Sequence, residues 1–286
     1  MNWQGVIPAI TTPFREDLSV DHAFLAKHAA WMIDNGCTGI VALGSLGEGA
    51  TLEFDEKISV MQTCIRASRV PVAAAVSALS TDFAVRLAKK AEEVGCAGLM
   101  VLPPYVYSGD WREMKAHVAA VFRATKLSCM LYNNPIAYRT DFLPEQIAEL
   151  ASEHENLHAV KESSGDVRRI AAIRALIDER LAIFVGVDDL IVEGIAAGAA
   201  GWIAGLVNAL PKESVALFNG EDLYRWFLPL LRLDTVPKFV QLIKLVQAEV
   251  GMGSERVRPP RLELAGEERE AALRVIRAAL KSRPQV

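Results

Sequence analysis

LHAVKESSGD, residues 157 to 166, carries a lysine where a lysine is costly. Leu157, Ala159 and Val160 form an apolar run of the kind that makes a buried strand, and Lys161 follows at once with Glu162, Ser163 and Ser164 behind it. An ammonium in a low-dielectric interior responds by giving up its proton. The neutral amine that results is a nucleophile.

Seven further runs resemble this one: GVIPAITTP from Gly5, GIVALG from Gly39, PVAAAVS from Pro71, GLMVLPP from Gly98, LSCMLYNNP from Leu127, LAIFVGVDD from Leu181 and GWIAGLVN from Gly201. They are apolar throughout rather than alternating, which predicts a parallel sheet buried on both faces. Amphipathic stretches lie between them, at Asp21 to Asp34, Asp55 to Ser68, Ser80 to Val94 and Asp166 to Ile177, several opening on an Asp or Ser suited to a helix N-cap. Strand starts recur every 20 to 34 residues, about the length of one strand–helix unit.

Eight such units predict an α/β fold, a (β/α)8 TIM barrel. The competing doubly wound sheet lacks its usual mark, since no GxGxxG follows the first strand. The barrel is expected over residues 1 to 218 and a C-terminal helical extension over 219 to 286. Within the extension, helical patterns run from Glu221 to Val250 and from Gly266 to Leu280, and GMGSERVRPPRLELAG between them reads as an exposed connector.

Composition narrows the chemistry. The 286 residues are 51% hydrophobic and 23% charged with a net charge of −4, enough apolar mass for a large core and no basic tract for nucleic acid or an anionic membrane. No uncharged stretch reaches the ~20 residues of a membrane span, and the N-terminus lacks a secretory pattern, so the expected location is the cytoplasm. Cys37, Cys64, Cys96 and Cys129 show no CxxC spacing and read as buried thiols. Of the five histidines only His154 and His158 stand four apart, in loop and strand sequence, so no metal site is expected.

In such barrels the active site gathers at the C-terminal strand ends. Read in order these are Thr11-Thr12-Pro13, Gly44 to Glu48, Ser77, Pro103-Pro104-Tyr105, Tyr132 to Pro135, Lys161 to Ser163, Gly186 to Asp189 and Gly205. Lys161 would point into the barrel, where its amine can attack a carbonyl or imine carbon; a lysine with its head ion-paired to Glu162 or a rim aspartate is the plainer alternative. Tyr132, at the end of the fifth strand, can donate and accept a proton beside that amine, or can simply be a packing residue. GSLGEG from Gly44 offers backbone N–H groups and the Ser45 hydroxyl to a carboxylate, although by itself it is only a tight turn. It is not a phosphate loop, because GxxxxGK[ST] is absent.

Together GSLGE, YNNP and VKESSGD, in that order and spacing, resemble the dihydrodipicolinate synthase and N-acetylneuraminate lyase family of class I aldolases. The resemblance implies an eight-fold barrel with a helical C-terminal extension, usually a homotetramer, needing no cofactor. It makes Lys161 the Schiff-base lysine, Tyr132 the proton-transfer tyrosine, and Ser45 a catalytic hydroxyl that, with the Leu46 backbone, binds the carboxylate of a small 2-oxo acid. Asn133, Ser163, Gly186 and Ile203 join the substrate-binding set. Asp188 and Asp189 would hold a substrate hydroxyl or ring nitrogen, or Asp189 would cap the next helix.

Departures from the family pattern point away from lysine biosynthesis. Synthases of that pathway usually carry two threonines where this chain has Ser45-Leu46. They carry an arginine just past YNxP, where this chain has Ile136, Ala137 and Tyr138 with Arg139 displaced. They also carry a second tyrosine after PY, where this chain has Val106 with Tyr107 adjacent. Relatives have a longer helix–turn–helix before LYRWFLPLL, whereas here SVALFNG passes straight to EDLYRWF.

LPPYVY, YNNP, KESSGDVRRI, GVDDL, GWIAGLVNALP, RWFLPLLRLDT and GSERVRPPRL are together similar to 1-pyrroline-4-hydroxy-2-carboxylate deaminases, lyases of hydroxyproline catabolism that act on a cyclic imine carboxylate. The alternatives are an aldolase or dehydratase of a 4-hydroxy-2-oxo acid or 2-keto-3-deoxy sugar acid, a synthase-like condensation, and a non-catalytic binder of 2-oxo acids.

Overall fold

The computed structural model describes residues 1–105 and 109–286; Val106 and Tyr107, on which the second-tyrosine expectation falls, lie outside the described residues. The eight apolar runs form eight strands: β1 (Gly5–Pro8), β2 (Ile40–Ala42), β3 (Val72–Val76), β4 (Gly98–Val101), β5 (Ser128–Asn133), β6 (Leu157–Glu162), β7 (Ala182–Val185) and β8 (Gly201–Ala204). All neighbours are parallel, in the order β1-β8-β7-β6-β5-β4-β3-β2. The two ends of that order meet through an Ala9–Val41 bridge and the Ile10 N–H on the Val41 carbonyl at 3.0 Å. The sheet is therefore a barrel, nearly closed on itself.

The helices are α1 (His22–Asp34), α2 (Phe54–Ala67), α3 (Thr81–Glu93), α4 (Trp111–Arg123), α5 (Pro135–Tyr138), α6 (Pro144–Glu153), α7 (Arg168–Ile177), α8 (Ile191–Ala196), α9 (Pro211–Phe218), α10 (Tyr224–Leu231), α11 (Phe239–Glu249) and α12 (Gly266–Lys281). Their starts follow capping chemistry: Asp21 accepts from the Phe24 N–H at 3.0 Å, Ser80 from Phe83 at 3.2 Å and Asp110 from Glu113 at 2.9 Å. Each caps an otherwise unpaired first-turn donor.

Two expectations for the C-terminal part are corrected. The helical pattern from Glu221 to Val250 is interrupted, because α10 ends in a 3-10 turn at Arg232–Asp234 and α11 begins only at Phe239. Pro237 stands between them, where an amide-less residue disfavours a continuous helix. The segment before α12 is not a free connector either. Val257 is buried, Arg258 donates its N–H to Glu48 at 2.9 Å, and its guanidinium grips Glu56 at 2.7 and 2.8 Å. SVALFNG does run directly into the next helix, turning at Gly220, whose φ of +94° suits glycine.

The C-terminal helices bind back onto the barrel mouth. Lys244 of α11 is buried and donates to Glu48 at 2.6 Å, to the Thr12 carbonyl at 2.9 Å and to the Arg256 carbonyl at 2.7 Å. Glu48 lies in the GSLGEG turn, so this ion pair ties the turn to α11. Trp226 of α10 closes the outer side by donating to the Ala279 carbonyl of α12 at 3.0 Å. Among the described residues no helix is long and apolar enough to cross a membrane.

Candidate active site

Lys161 and Tyr132 occupy matched positions on adjacent strands β6 and β5. The amine nitrogen lies 4.1 Å from the centre of the phenol ring. Lys161 is 6% exposed, so its charge has lost its water, and burial pushes its pKa down to about 8 against the opposing field of Asp234 and Asp188. The same burial pushes the Tyr132 phenol up to about 12, although the Asn134 side-chain amide donates to its oxygen at 2.9 Å. The amine is thus made easier to deprotonate while the phenol keeps its proton.

Gly186, just past β7, makes room for this lysine. A Cβ there would stand 2.5 Å from Lys161 Cε and would collide with Ser163 Oγ. Ser163 itself is 1% exposed; its hydroxyl lies near the Tyr132 phenol, and among the described residues it makes no hydrogen bond of normal geometry. A buried hydroxyl without a well-formed hydrogen bond pays a desolvation cost that a ligand's polar atom can relieve.

Ser45 stands in the turn after β2. Its hydroxyl is hydrogen-bonded to the Tyr138 hydroxyl, and the Tyr138 ring meets the Tyr132 ring edge to face, centroids 5.9 Å apart. Tyr105 flanks Tyr138 at 5.8 Å. Burial raises the Tyr138 pKa, so it too remains a phenol. The turn is held open by Glu48 in a left-handed conformation, φ +54°, and by the Thr12 hydroxyl on the Gly47 carbonyl at 2.6 Å. Leu46 is buried in this turn, next to Ser45.

The remaining positions named from the sequence fall into three places. Asn133 is fully buried beneath the rim, with its amide donating to Glu162 and Asp141 at 3.1 Å each and its oxygen accepting from the Phe142 N–H at 2.9 Å. It braces β5 against β6. Asp188 accepts from the Trp202 indole at 2.9 Å, from the Gly205 N–H at 3.1 Å and from the Leu206 N–H at 2.8 Å. These donors hold the end of β8, and with burial pushing its pKa up to about 6 the carboxyl acts on Lys161 through its field. Asp189 pairs with Arg232 at 3.6 Å on the outer side, and Ile203 is 1% exposed in the β8 wall.

Two residues were not singled out from the sequence. Tyr138 follows YNNP as an aromatic that α5 turns back toward Ser45, and the only sequence signal was its standing where an arginine was expected. Asp234 comes from the C-terminal extension and packs directly on Gly205, beyond β8. It had no local signal, because 73 residues separate it from Lys161.

Among the described residues no group of three or more His, Cys, Asp or Glu could hold a metal ion. The four cysteines are free and buried, and burial raises each thiol to about 12, far from a reactive thiolate. What the arrangement offers is a desolvated amine, a neutral phenol beside it, a second phenol on a serine, and two carboxyls, Asp188 and Asp234, whose fields reach the amine.

Comparison with known proteins gives the family of the chain. The model of the dihydrodipicolinate synthetase family matches residues 2–279. The 4-hydroxy-tetrahydrodipicolinate synthase of Agrobacterium fabrum is 32% identical over 98% of both chains, and that of Pelobacter propionicus is 29% identical over 96% of this chain and 98% of the other. Among solved structures, dihydrodipicolinate synthase from Aquifex aeolicus superposes with a TM-score of 0.92 at 28% identity, covering 96% of this chain and 98% of that one. That of Bacillus anthracis gives 0.92 at 28% identity over the whole of both chains.

Proposed function

The chain belongs to the dihydrodipicolinate synthetase family and is a class I Schiff-base lyase; from that premise we propose that it opens and deaminates 1-pyrroline-4-hydroxy-2-carboxylate, releasing 2,5-dioxopentanoate and ammonia. Lys161 is the nucleophile. Its neutral amine adds to C2 of the cyclic imine, and the ring nitrogen leaves as an amine, taking a proton from the Tyr132 phenol. The phenolate then takes the C3 proton, the C3–H electron pair forms a C3=C4 bond, and the 4-hydroxyl leaves with the C4–O electron pair, taking a proton from an acid at the site to depart as water.

Proton shifts move the unsaturation to C5, where the carbon bearing the amine becomes an imine. Water cleaves that imine to ammonia and an aldehyde, and water cleaves the Lys161 imine to the 2-oxo group. One water is lost and two are consumed, which balances the net hydrolysis. Ser45, held by Tyr138, and the backbone at Leu46 bind the carboxylate, with Ser163 offering its buried hydroxyl.

The observation that carries this reading is the charge of the surroundings of Lys161. A condensing enzyme must hold the carboxylate of a second substrate, which calls for a cation. Here the carboxyls of Asp234 and Asp188 reach Lys161 with their fields instead, surroundings suited to a hydroxyl and to a liberated ammonium group.

The names of the relatives favour a second reading, 4-hydroxy-tetrahydrodipicolinate synthase activity. Purified protein assayed on a panel of cyclic imine and open-chain substrates separates the two. Ammonia with 2,5-dioxopentanoate supports deamination; turnover only in the synthase assay overturns it. Assembly as a homotetramer is part of the same proposal, and sedimentation measures it.

A further inference from the structure

Asp234 is a carboxyl without a structural task. It closes the 3-10 turn Arg232–Asp234 of the C-terminal extension and is half-buried. Its side chain lies so tightly on Gly205 that a Cβ on that residue would collide with the carboxyl oxygen. The N–H of the same Gly205 donates to Asp188, so two acidic groups flank one glycine on the side of the rim whose field reaches Lys161.

The two are provisioned differently. Asp188 takes three donors, as a carboxylate that shapes backbone does. Among the described residues Asp234 accepts no hydrogen bond, and the nearby guanidinium of Arg232 goes to Asp189 instead. A buried carboxyl with only a structural task would be expected to accept from hydrogen-bond donors or pair with an arginine. Burial, and then the neighbouring Asp188, raise the Asp234 pKa well above the usual carboxylate range, the direction that favours the protonated carboxyl.

We infer that Asp234 is the acid for loss of the 4-hydroxyl: its carboxyl donates to the oxygen on C4 of the Lys161-bound intermediate and gives up its proton as the C4–O bond breaks. This rests on the deaminase reading above. The C3–H pair becomes the C3=C4 bond, the C4–O pair leaves with oxygen, and that oxygen departs as water carrying the Asp234 proton. Solvent reprotonates the carboxylate.

Asp234 therefore acts after the amine has bonded to its substrate and after C3 has lost its proton. Its removal separates steps that a structural defect would lose together.

The test reads wild type first for ammonia from 1-pyrroline-4-hydroxy-2-carboxylate; none there overturns the deaminase reading and this inference with it. Asp234→Asn is then compared in three measurements: ammonia release, deuterium uptake at substrate C3 in heavy water, and borohydride trapping of pyruvate on Lys161. The expected result is a fall in kcat of about 10²–10⁴-fold with KM little changed, while C3 exchange and the pyruvate adduct persist. Gly205→Ala, which displaces the carboxyl from the other side, is expected to give the same split. Ammonia release within threefold of wild type in Asp234→Asn, or loss of C3 exchange and trapping together with release, overturns the inference.

Discussion

Lys161 and Tyr132 lie across one strand pair, amine nitrogen 4.1 Å from the phenol ring centre, with the lysine side chain pressed against Gly186. In the proposed mechanism this contact sets a desolvated nucleophile beside its proton carrier before any substrate arrives. A lysine on an exposed strand end would remain an ammonium at neutral pH. This one needs only a small push to become an amine.

Tyr132→Phe preserves the ring packing and removes the proton carrier. Turnover is expected to fall about 10²–10⁴-fold, the usual loss for a general acid–base group, with the melting temperature little altered. Steady-state kinetics beside a thermal melt check it, and near-wild-type rates would take Tyr132 out of the mechanism.

Ser45 and Tyr138 form one hydroxyl pair, so their losses should overlap. Ser45→Ala and Tyr138→Phe are each expected to lower kcat/KM by about tenfold or more, and the double variant to be little worse than either single one. A double-mutant cycle measures this; full additivity would mean that the two hydroxyls act separately.

The pKa of Lys161, pushed down to about 8, sets a pH dependence. Below that value the amine is protonated and unreactive, so adduct formation should rise about tenfold per pH unit up to pH 8 and level off above it. At pH 7 about a tenth of the lysine is neutral, against well under a thousandth at the ordinary value. Trapping rates with pyruvate between pH 6 and 10 read the curve, and a rise continuing past pH 10 would contradict the desolvated amine.

The buried ion pair Lys244–Glu48 predicts a stability effect without chemistry of its own. Lys244→Met removes the buried cation closest to the Glu48 carboxylate of the GSLGEG turn and should cost about 3–5 kcal/mol in urea unfolding. It should also weaken binding of the substrate carboxylate, because that turn carries Ser45. Unchanged stability would show that α11 does not clamp the turn.

The barrel was legible because each strand is a short apolar run that no other element explains, and because Asp21, Ser80 and the like mark where helices begin. Lys161, Tyr132 and Ser45 were legible as strand-end residues whose chemistry is out of place in a core. Tyr138 and Asp234 were not, for different reasons. Tyr138 reaches Ser45 only because the single turn of α5 folds its ring back, which no periodicity announces in four residues. Asp234 depends on the break between α10 and α11, and a pattern read as one continuous helical region places it on a surface instead. Asn133 and Asp188 sit at the rim as expected, yet their hydrogen bonds run into the scaffold, and partners of that kind are invisible until strands are paired.

In the Schiff-base mechanism the Lys161 amine becomes covalently bonded to its substrate, and peptide mapping after borohydride reduction in the presence of pyruvate detects that bond. One added pyruvate-derived group is expected on the peptide containing Lys161, and none in Lys161→Ala. A folded, substrate-saturated protein with that peptide unmodified would contradict it.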